Sequence, residues 1–149
     1  MWINAKKILL GLLIIATVSI LAYFAKKHSP NRDDAKLYEV RQLYSTLPIP
    51  PGFEEKGSSF QSKAELVLVS KYFKSKSAYD DVKAFYVQRL IPTGWTLVKE
   101  RRMTDWFRDF GGRELEFSKD GYSVVVEYAG AKANDQWDYG IALEWRRKS

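Results

Sequence analysis

The chain of 149 residues contains no cysteine and a single histidine, His28, which lies close to the amino terminus. The absence of cysteine excludes disulfides, thiol nucleophiles and thiolate metal ligands. Residues 30–149 also lack histidine, the commonest general base and transition-metal ligand. We therefore expect no catalytic residue, no cofactor-binding residue and no metal site, and we expect that the protein is not an enzyme.

Glycine-rich phosphate loops and Gly-x-Ser-x-Gly turns are also missing, which leaves paired carboxylates as the remaining route to catalysis. Glu114 and Glu116 would share one face of a strand, and Asp105 and Asp109 one face of a helical turn. Such pairs act as acid and base only when burial separates their pKa values. Both pairs lie among arginines at positions expected to be exposed to solvent, so we interpret them as part of a solvated, charge-balanced surface. An enzyme is therefore only the third hypothesis for the function.

The carboxyl-terminal part of the chain has almost no excess of basic over acidic residues. The net charge is +6, but residues 30–149 hold 20 Lys and Arg against 18 Asp and Glu, a net of +2. A domain that binds phosphate backbones needs a clear basic excess. We expect no nucleic-acid partner.

One long hydrophobic run is present: residues 8–25, ILLGLLIIATVSILAYFA, carry no charge over 18 positions. A helix of this length reaches roughly 27 Å, close to the ~30 Å hydrocarbon core of a bilayer. Lys6 and Lys7 flank the run on one side and Lys26 and Lys27 on the other, and Tyr23 suits the interface. The run predicts a single transmembrane helix that contacts membrane lipid. The alternative, a removed signal peptide, normally has an apolar stretch of about 7 to 15 residues.

The orientation of the span has two interpretations. The count of flanking basic residues leans towards a cytoplasmic carboxyl-terminal domain. A short basic start followed by a long apolar stretch is instead typical of exported signal anchors. We expect a single-pass membrane protein with its carboxyl-terminal domain outside the cytoplasm.

The chain divides into four segments: a short basic tail at 1–7, the transmembrane helix at 8–25, a juxtamembrane segment at 26–52 and a small α+β domain at 53–149. Within the juxtamembrane segment, spacings of three and four predict a helix over residues 32–46, with one apolar stripe formed by Leu37, Val40, Tyr44 and Leu47. We expect this stripe to dock on the domain, and the alternative is a free stalk helix. A proline-rich turn follows.

The domain itself is predicted to have the order β-α-β-β-β-β. Residues 54–63 favour an exposed loop or a weak edge strand. The helix is predicted to open at Ser77, which forms a capping box with Asp80, and the pair Asp120-Gly121 predicts a hairpin. The predicted strands are residues 64–73, 95–100, 114–118, 122–128 and 139–145. The fold class is therefore α+β, an antiparallel sheet of about five strands with one helix packed across it.

The segment RRMTDWFRDFGGR, residues 101–113, is the most unusual part of the domain. Its aromatic residues and Met103 recur at helical spacing among arginines, a pattern typical of a short basic amphipathic turn that contacts a membrane surface or a protein partner. The alternative is that Trp106 and Phe110 close one end of the core. The candidate contact residues are Arg101, Arg102, Met103, Trp106, Phe107, Arg108, Phe110 and Arg113.

These observations favour a membrane-anchored protein whose α+β domain is a non-enzymatic interaction module, such as an accessory subunit of a membrane assembly. We expect a protein partner of undefined identity. The alternative from a different class is a binding module for a lipid or small apolar molecule, for which the abundant aromatic residues could form a pocket.

Overall fold

A computed structural model describes residues 32–105, 108–133 and 136–147. The predicted transmembrane segment, with Lys6, Lys7, Tyr23, Lys26 and Lys27, lies outside these residues. Among the helices of the described ranges, none has the length and apolar character needed to cross a bilayer. Contacts group residues Asp33–Ser149 into one compact unit.

Helix α1, Arg32–Ser45, packs against the sheet through the stripe expected from its sequence. Val40, Tyr44 and, just beyond the helix, Leu47 are buried, and Leu37 packs at the edge of the core. The Tyr44 hydroxyl donates a hydrogen bond of 3.0 Å to the carbonyl of Ile141. The helix is therefore docked and is part of the core, and the alternative of a free stalk is wrong.

Within the described ranges, six antiparallel strands, numbered along the chain, form one sheet in the order β1-β2-β6-β5-β4-β3. Their bounds are Glu54–Lys63 for β1, Leu66–Lys74 for β2, Thr96–Asp105 for β3, Arg108–Lys119 for β4, Tyr122–Tyr128 for β5 and Tyr139–Arg146 for β6. The α+β class and the antiparallel sheet are confirmed. The expected number of about five strands is one too low because β1, which is largely exposed and polar, forms a full edge strand paired to β2.

Helix α2, Tyr79–Leu90, crosses the same face of the sheet as α1 and buries Val82, Tyr86 and Leu90. The predicted capping box is wrong: the N-cap residue is Ala78, and no side chain caps the helix. The Ser77 hydroxyl is instead within 3.0 Å of the Ser75 hydroxyl. A 3₁₀ turn at Ile91–Thr93, which contains Pro92, follows the helix directly.

The hairpin between β4 and β5 turns at Asp120-Gly121, as its sequence indicates. The φ angles of these residues are 50° and 84°, the positive pair that a type I′ turn requires. Opposite residues of the two strands then pair without a register shift from Lys119↔Tyr122 to Arg113↔Tyr128. The turn thus sets which side chains of β4 and β5 share a face.

The core lies between the helices and one face of the sheet. Its fully buried side chains come from both helices and from β2, β4, β5 and β6, and the largest are Tyr86, Tyr139, Phe117, Leu90 and Leu115. The opposite face, which we call the open face, carries Leu66, Leu68 and Tyr72 half-buried, together with charged residues.

Candidate functional site

The six predicted contact residues that the structure describes lie on two antiparallel strands, not on a helical turn. Strands β3 and β4 pair from Thr96↔Ser118 to Asp105↔Arg108. The prediction of a helical turn over residues 103–110 is therefore wrong, and so is the shared helical face proposed for Asp105 and Asp109, which belong to different strands. The cause is that the main chain of β3 is hydrogen-bonded to β4 across the sheet, a pairing that local spacing does not reveal.

The distal half of this hairpin extends past the neighbouring strand. Strand β4 pairs with β5 only from Arg113 onwards, so residues 108–112 continue beyond the end of β5. We call residues 101–105 and 108–113 the arm. Trp106 and Phe107, both candidate contact residues, lie outside the described residues.

The loop that follows β5 packs underneath the arm and requires glycine there. Gly130 has a φ of +106°, and a Cβ atom at this position would lie 2.3 Å from the carbonyl oxygen of Phe110. The amide of Lys132 donates a hydrogen bond of 3.2 Å to that same oxygen. The arm is therefore supported by backbone contact and is not a free ribbon.

A cavity of about 490 Å³ lies between the arm and this loop. Its lining combines aromatic, apolar and charged side chains, and the main ones are Met103, Arg108, Phe110, Glu127, Tyr128 and Trp137. The guanidinium carbon of Arg108 lies 5.1 Å from the centroid of the Phe110 ring, within cation–π range. Such a cavity has the size and chemistry to hold one side chain or a small ligand.

The candidate residues separate onto two faces of the arm. Met103, Arg108 and Phe110 line the cavity on the open face, and Arg101 points to the same face. Arg113 points to the helix side, where its guanidinium carbon lies 5.3 Å from the centroid of the Tyr79 ring. Arg102, directly opposite Arg113, lies on that side too, with its guanidinium 3.9 Å from the Asp109 carboxylate. The six candidates within the described ranges therefore do not form a single patch.

Glu114 is the centre of the ion pairs beside the arm. Arg101 donates two hydrogen bonds of 2.8 Å to its carboxylate, and the Lys99 ammonium lies 3.3 Å away. Burial raises the pKa of this carboxyl, but the hydrogen bonds from Arg101 and Lys99 outweigh burial and bring the pKa below its usual value. A lowered pKa suits an ion-pair partner and is the opposite of what a general acid needs.

The expectation that Glu114 is exposed to solvent is wrong, since only 8% of the residue is exposed. Its predicted neighbour Glu116 does share the same face, and it accepts a hydrogen bond of 3.0 Å from the Ser123 hydroxyl. Glu127 of β5 lies directly opposite Glu114 in the register. The open face therefore carries several carboxylates with basic residues around them.

Glu127, Tyr128 and Trp137 line the cavity but are not among the contact residues predicted from the sequence. Trp137 lies in the connection between β5 and β6, and its ring centroid is 5.4 Å from that of Tyr72 on β2. A tryptophan within an otherwise small and polar stretch was the available signal, because aromatic rings are rarely left without contacts. Glu127 gave no signal beyond its place in an alternating strand.

A second groove of about 440 Å³ lies between α1 and the edge of the sheet. Its apolar lining is supplied by Leu47, Ile49, Phe60, Val69 and Phe73. The guanidinium carbon of Arg41 lies 4.3 Å from the centroid of the Phe60 ring at its rim. This groove is more apolar than the cavity under the arm.

Within the described ranges, no group of three or more His, Cys, Asp or Glu side chains is placed to hold a metal ion. No protein-family model, curated protein or solved structure matches this chain.

Proposed function

We propose that this protein is a single-pass membrane-anchored interaction module that binds a protein partner through the arm, as an accessory subunit of a membrane assembly would. The anchor is the uncharged run at residues 8–25. The observation that supports this contact surface is that β4 extends past the end of β5, so that residues 108–112 project beside a cavity.

The chemistry of the arm supports a protein partner. Arginine and aromatic side chains are the residues that contribute most to binding at protein interfaces, particularly where a pocket takes a side chain of the partner. Arg102 has a side chain that is 71% exposed, and Arg108 is exposed at the mouth of the cavity. The partner would place one apolar side chain in the cavity and an acidic group against Arg108 on the open face, and it would meet Arg102 on the helix side by reaching round β3, which is an edge strand.

Site-specific crosslinking in native membranes tests this proposal. Because the chain lacks cysteine, Arg102→Cys introduces a single attachment point for a photoreactive maleimide on the arm. Gln88→Cys, on the exposed side of α2, is the matched control. We expect a protein adduct, identified by mass spectrometry, from position 102 and not from position 88. Equal labelling at both positions, or adducts of position 102 with lipid alone, would contradict the proposal.

The apolar groove between α1 and β1 favours the second candidate, a lipid or small apolar ligand. Its 440 Å³ and its lining by Leu47, Ile49 and Phe73 suit one acyl chain or a small apolar molecule. Native mass spectrometry of the purified full chain would show a retained mass, and Ile49→Trp, which fills the groove, should remove it. A retained mass that persists in Ile49→Trp would place the ligand elsewhere.

A further inference from the structure

The two edge strands of the sheet differ in how well they are protected against pairing. Strand β3 carries Lys99, Glu100, Arg101 and Arg102 in succession, and its register shifts near both ends. Charges and bulges on an edge are the usual devices that prevent another strand from adding to it. Strand β3 is therefore protected against pairing with another strand, and we call it the guarded edge.

Strand β1 lacks these devices along most of its length. Its only register shift lies between Glu55 and Gly57, and from Gly57 to Lys63 it follows β2 residue by residue. The sequence from Gly57 to Ser62, GSSFQS, holds no charge and no proline. No strand of the described residues pairs with its outer side, and the Phe60 side chain is 58% exposed.

We propose that β1 pairs with β1 of a second copy of this chain, antiparallel and centred on Ser59, to give one continuous sheet. The occupant is indicated by the charges of the strand itself. Glu54, Glu55 and Lys56 give one end of the strand a net charge of −1, and Lys63 gives the other end a charge of +1, so antiparallel pairing of identical strands brings ends of opposite net charge together. Parallel pairing would bring like charges together.

The alternation of side chains between the two faces of the strand limits the registers in which the two copies can pair. Residues directly opposite each other in an antiparallel pair point to the same face, so the centre must be a residue and not a peptide bond. A centre at Ser59 places Gly57 opposite Gln61 and Ser58 opposite Phe60, and brings Lys63 beside the acidic end. A centre at Phe60 instead moves Lys63 opposite Gly57, away from both glutamates. The two-fold axis then passes midway between the two Ser59 residues, perpendicular to the sheet.

Disulfide crosslinking of the full chain in native membranes tests the pairing. Opposite residues across such an axis have Cα atoms about 4.5 to 5.5 Å apart, which suits a disulfide. We expect Ser59→Cys to form a covalent dimer under mild oxidation. Val98→Cys is the matched control, because Val98 is 53% exposed on the guarded edge strand β3.

The register is tested with two differently tagged copies, one with Gly57→Cys and one with Gln61→Cys. A Cβ atom at Gly57 meets no other atom within 4 Å, so this substitution is accommodated. The mixed disulfide should exceed either like-with-like disulfide by about tenfold, because like positions lie four residues out of step, roughly 13 Å apart. In the Ser59→Cys background, Lys63→Glu should lower the dimer yield about threefold or more, and adding Glu54→Lys should restore it.

Three results would overturn self-pairing: equal dimer yields from Ser59→Cys and Val98→Cys, a preference for like-with-like disulfides, or capture of a different protein at position 59. The last result would assign the edge to strand addition by a partner. The proposal does not depend on the arm, because Arg102 and Arg108 lie on β3 and β4, at the other end of the sheet from β1. Variants of the arm that abolish partner crosslinking should leave the Ser59→Cys dimer unchanged.

Discussion

Two buried tyrosines differ in whether their hydroxyl group has a hydrogen-bond acceptor. The Tyr44 hydroxyl donates to the Ile141 carbonyl at 3.0 Å. The Tyr86 hydroxyl is buried without a partner among the described residues, and burial raises its pKa above the usual value. An unpaired buried hydroxyl costs free energy because it has lost its contact with water.

Removing the Tyr86 hydroxyl should therefore stabilise the protein. We expect Tyr86→Phe to raise the free energy of unfolding by about 1 kcal/mol, whereas Tyr44→Phe lowers it by about 1 kcal/mol. Urea unfolding of the full chain in mild detergent, followed by tryptophan fluorescence, measures both. A destabilised Tyr86→Phe variant would show that the hydroxyl has an acceptor.

The ion pair of Glu114 should make stability depend on pH. Because the folded state lowers the pKa of this carboxyl, the stabilisation is complete above the pKa of the unfolded chain and is lost as pH falls through the lower folded pKa. We expect Glu114→Gln to lower the free energy of unfolding by about 1 to 3 kcal/mol at pH 7, and by much less at pH 3. Urea titrations at the two pH values provide the comparison.

Glu65→Gln is the control for this substitution, since Glu65 lies in the exposed turn between β1 and β2. Its effect should stay within about 0.5 kcal/mol at both pH values. A Glu114→Gln effect that is the same at pH 7 and pH 3 would argue against the ion pair as its cause.

At the scale of elements, the arm depends on the loop packed beneath it. Gly130→Ala combines an unfavourable positive φ with a Cβ atom 2.3 Å from the Phe110 carbonyl oxygen. We expect it to lower the free energy of unfolding by about 3 kcal/mol, from roughly 1 to 2 kcal/mol of strain plus overpacking. Amide hydrogen exchange across residues 108–112 should accelerate in the same variant.

The comparison that isolates the packing is Gly121→Ala. Gly121 also has a positive φ, +84°, but a Cβ atom there meets nothing within 4 Å. Its cost should be about 1 to 2 kcal/mol, from strain alone, with exchange at the arm unaltered. Equal costs for the two variants would mean that the loop yields without disturbing β4.

The packing of the two helices, unlike the pairing of the hairpins, depends on a pattern within a single segment of the chain. Each buries side chains spaced four residues apart, Val40 and Tyr44 in α1 and Val82, Tyr86 and Leu90 in α2. That stripe requires only the periodicity of the chain itself. Strand β1 carries no comparable pattern, since most of its residues are exposed.

At the scale of the whole molecule, the proposed anchor and the folded unit should be separable. We expect the full chain to stay with membranes during alkaline carbonate extraction, because 18 uncharged residues are long enough to span. A shortened chain beginning at Asn31 should remain in the aqueous fraction and unfold cooperatively, because its core residues all lie at or beyond Val40. Fractionation and urea unfolding give the two measurements.

Recovery from cells of a mature chain that lacks about the first two dozen residues, in the aqueous fraction, would contradict retention of the anchor and favour a removed signal peptide. The full chain and the shortened chain then serve as size standards. Membrane association of the shortened chain would instead indicate that the folded unit itself contacts lipid.

Features that depend on neighbouring residues in the chain follow from the sequence alone. The apolar stripes of both helices and the Asp120-Gly121 turn are of this kind, because their conformations depend on residues only a few positions apart. The positions of strands β5 and β6 are also predicted correctly, from the alternation of apolar residues along each of them. The uncharged run at residues 8–25 is likewise a property of the sequence.

Features that depend on pairing between distant residues were decided by the tertiary structure. Strand β1 is a strand because β2 pairs with it, and the arm is a hairpin because β3 and β4 align across the sheet. The burial of Glu114, the cavity beside Phe110 and the placement of Arg101 and Arg113 on opposite faces all follow from that alignment. The physical reason is that a strand's hydrogen bonds are made to another segment, so local spacing alone does not distinguish it from a helix.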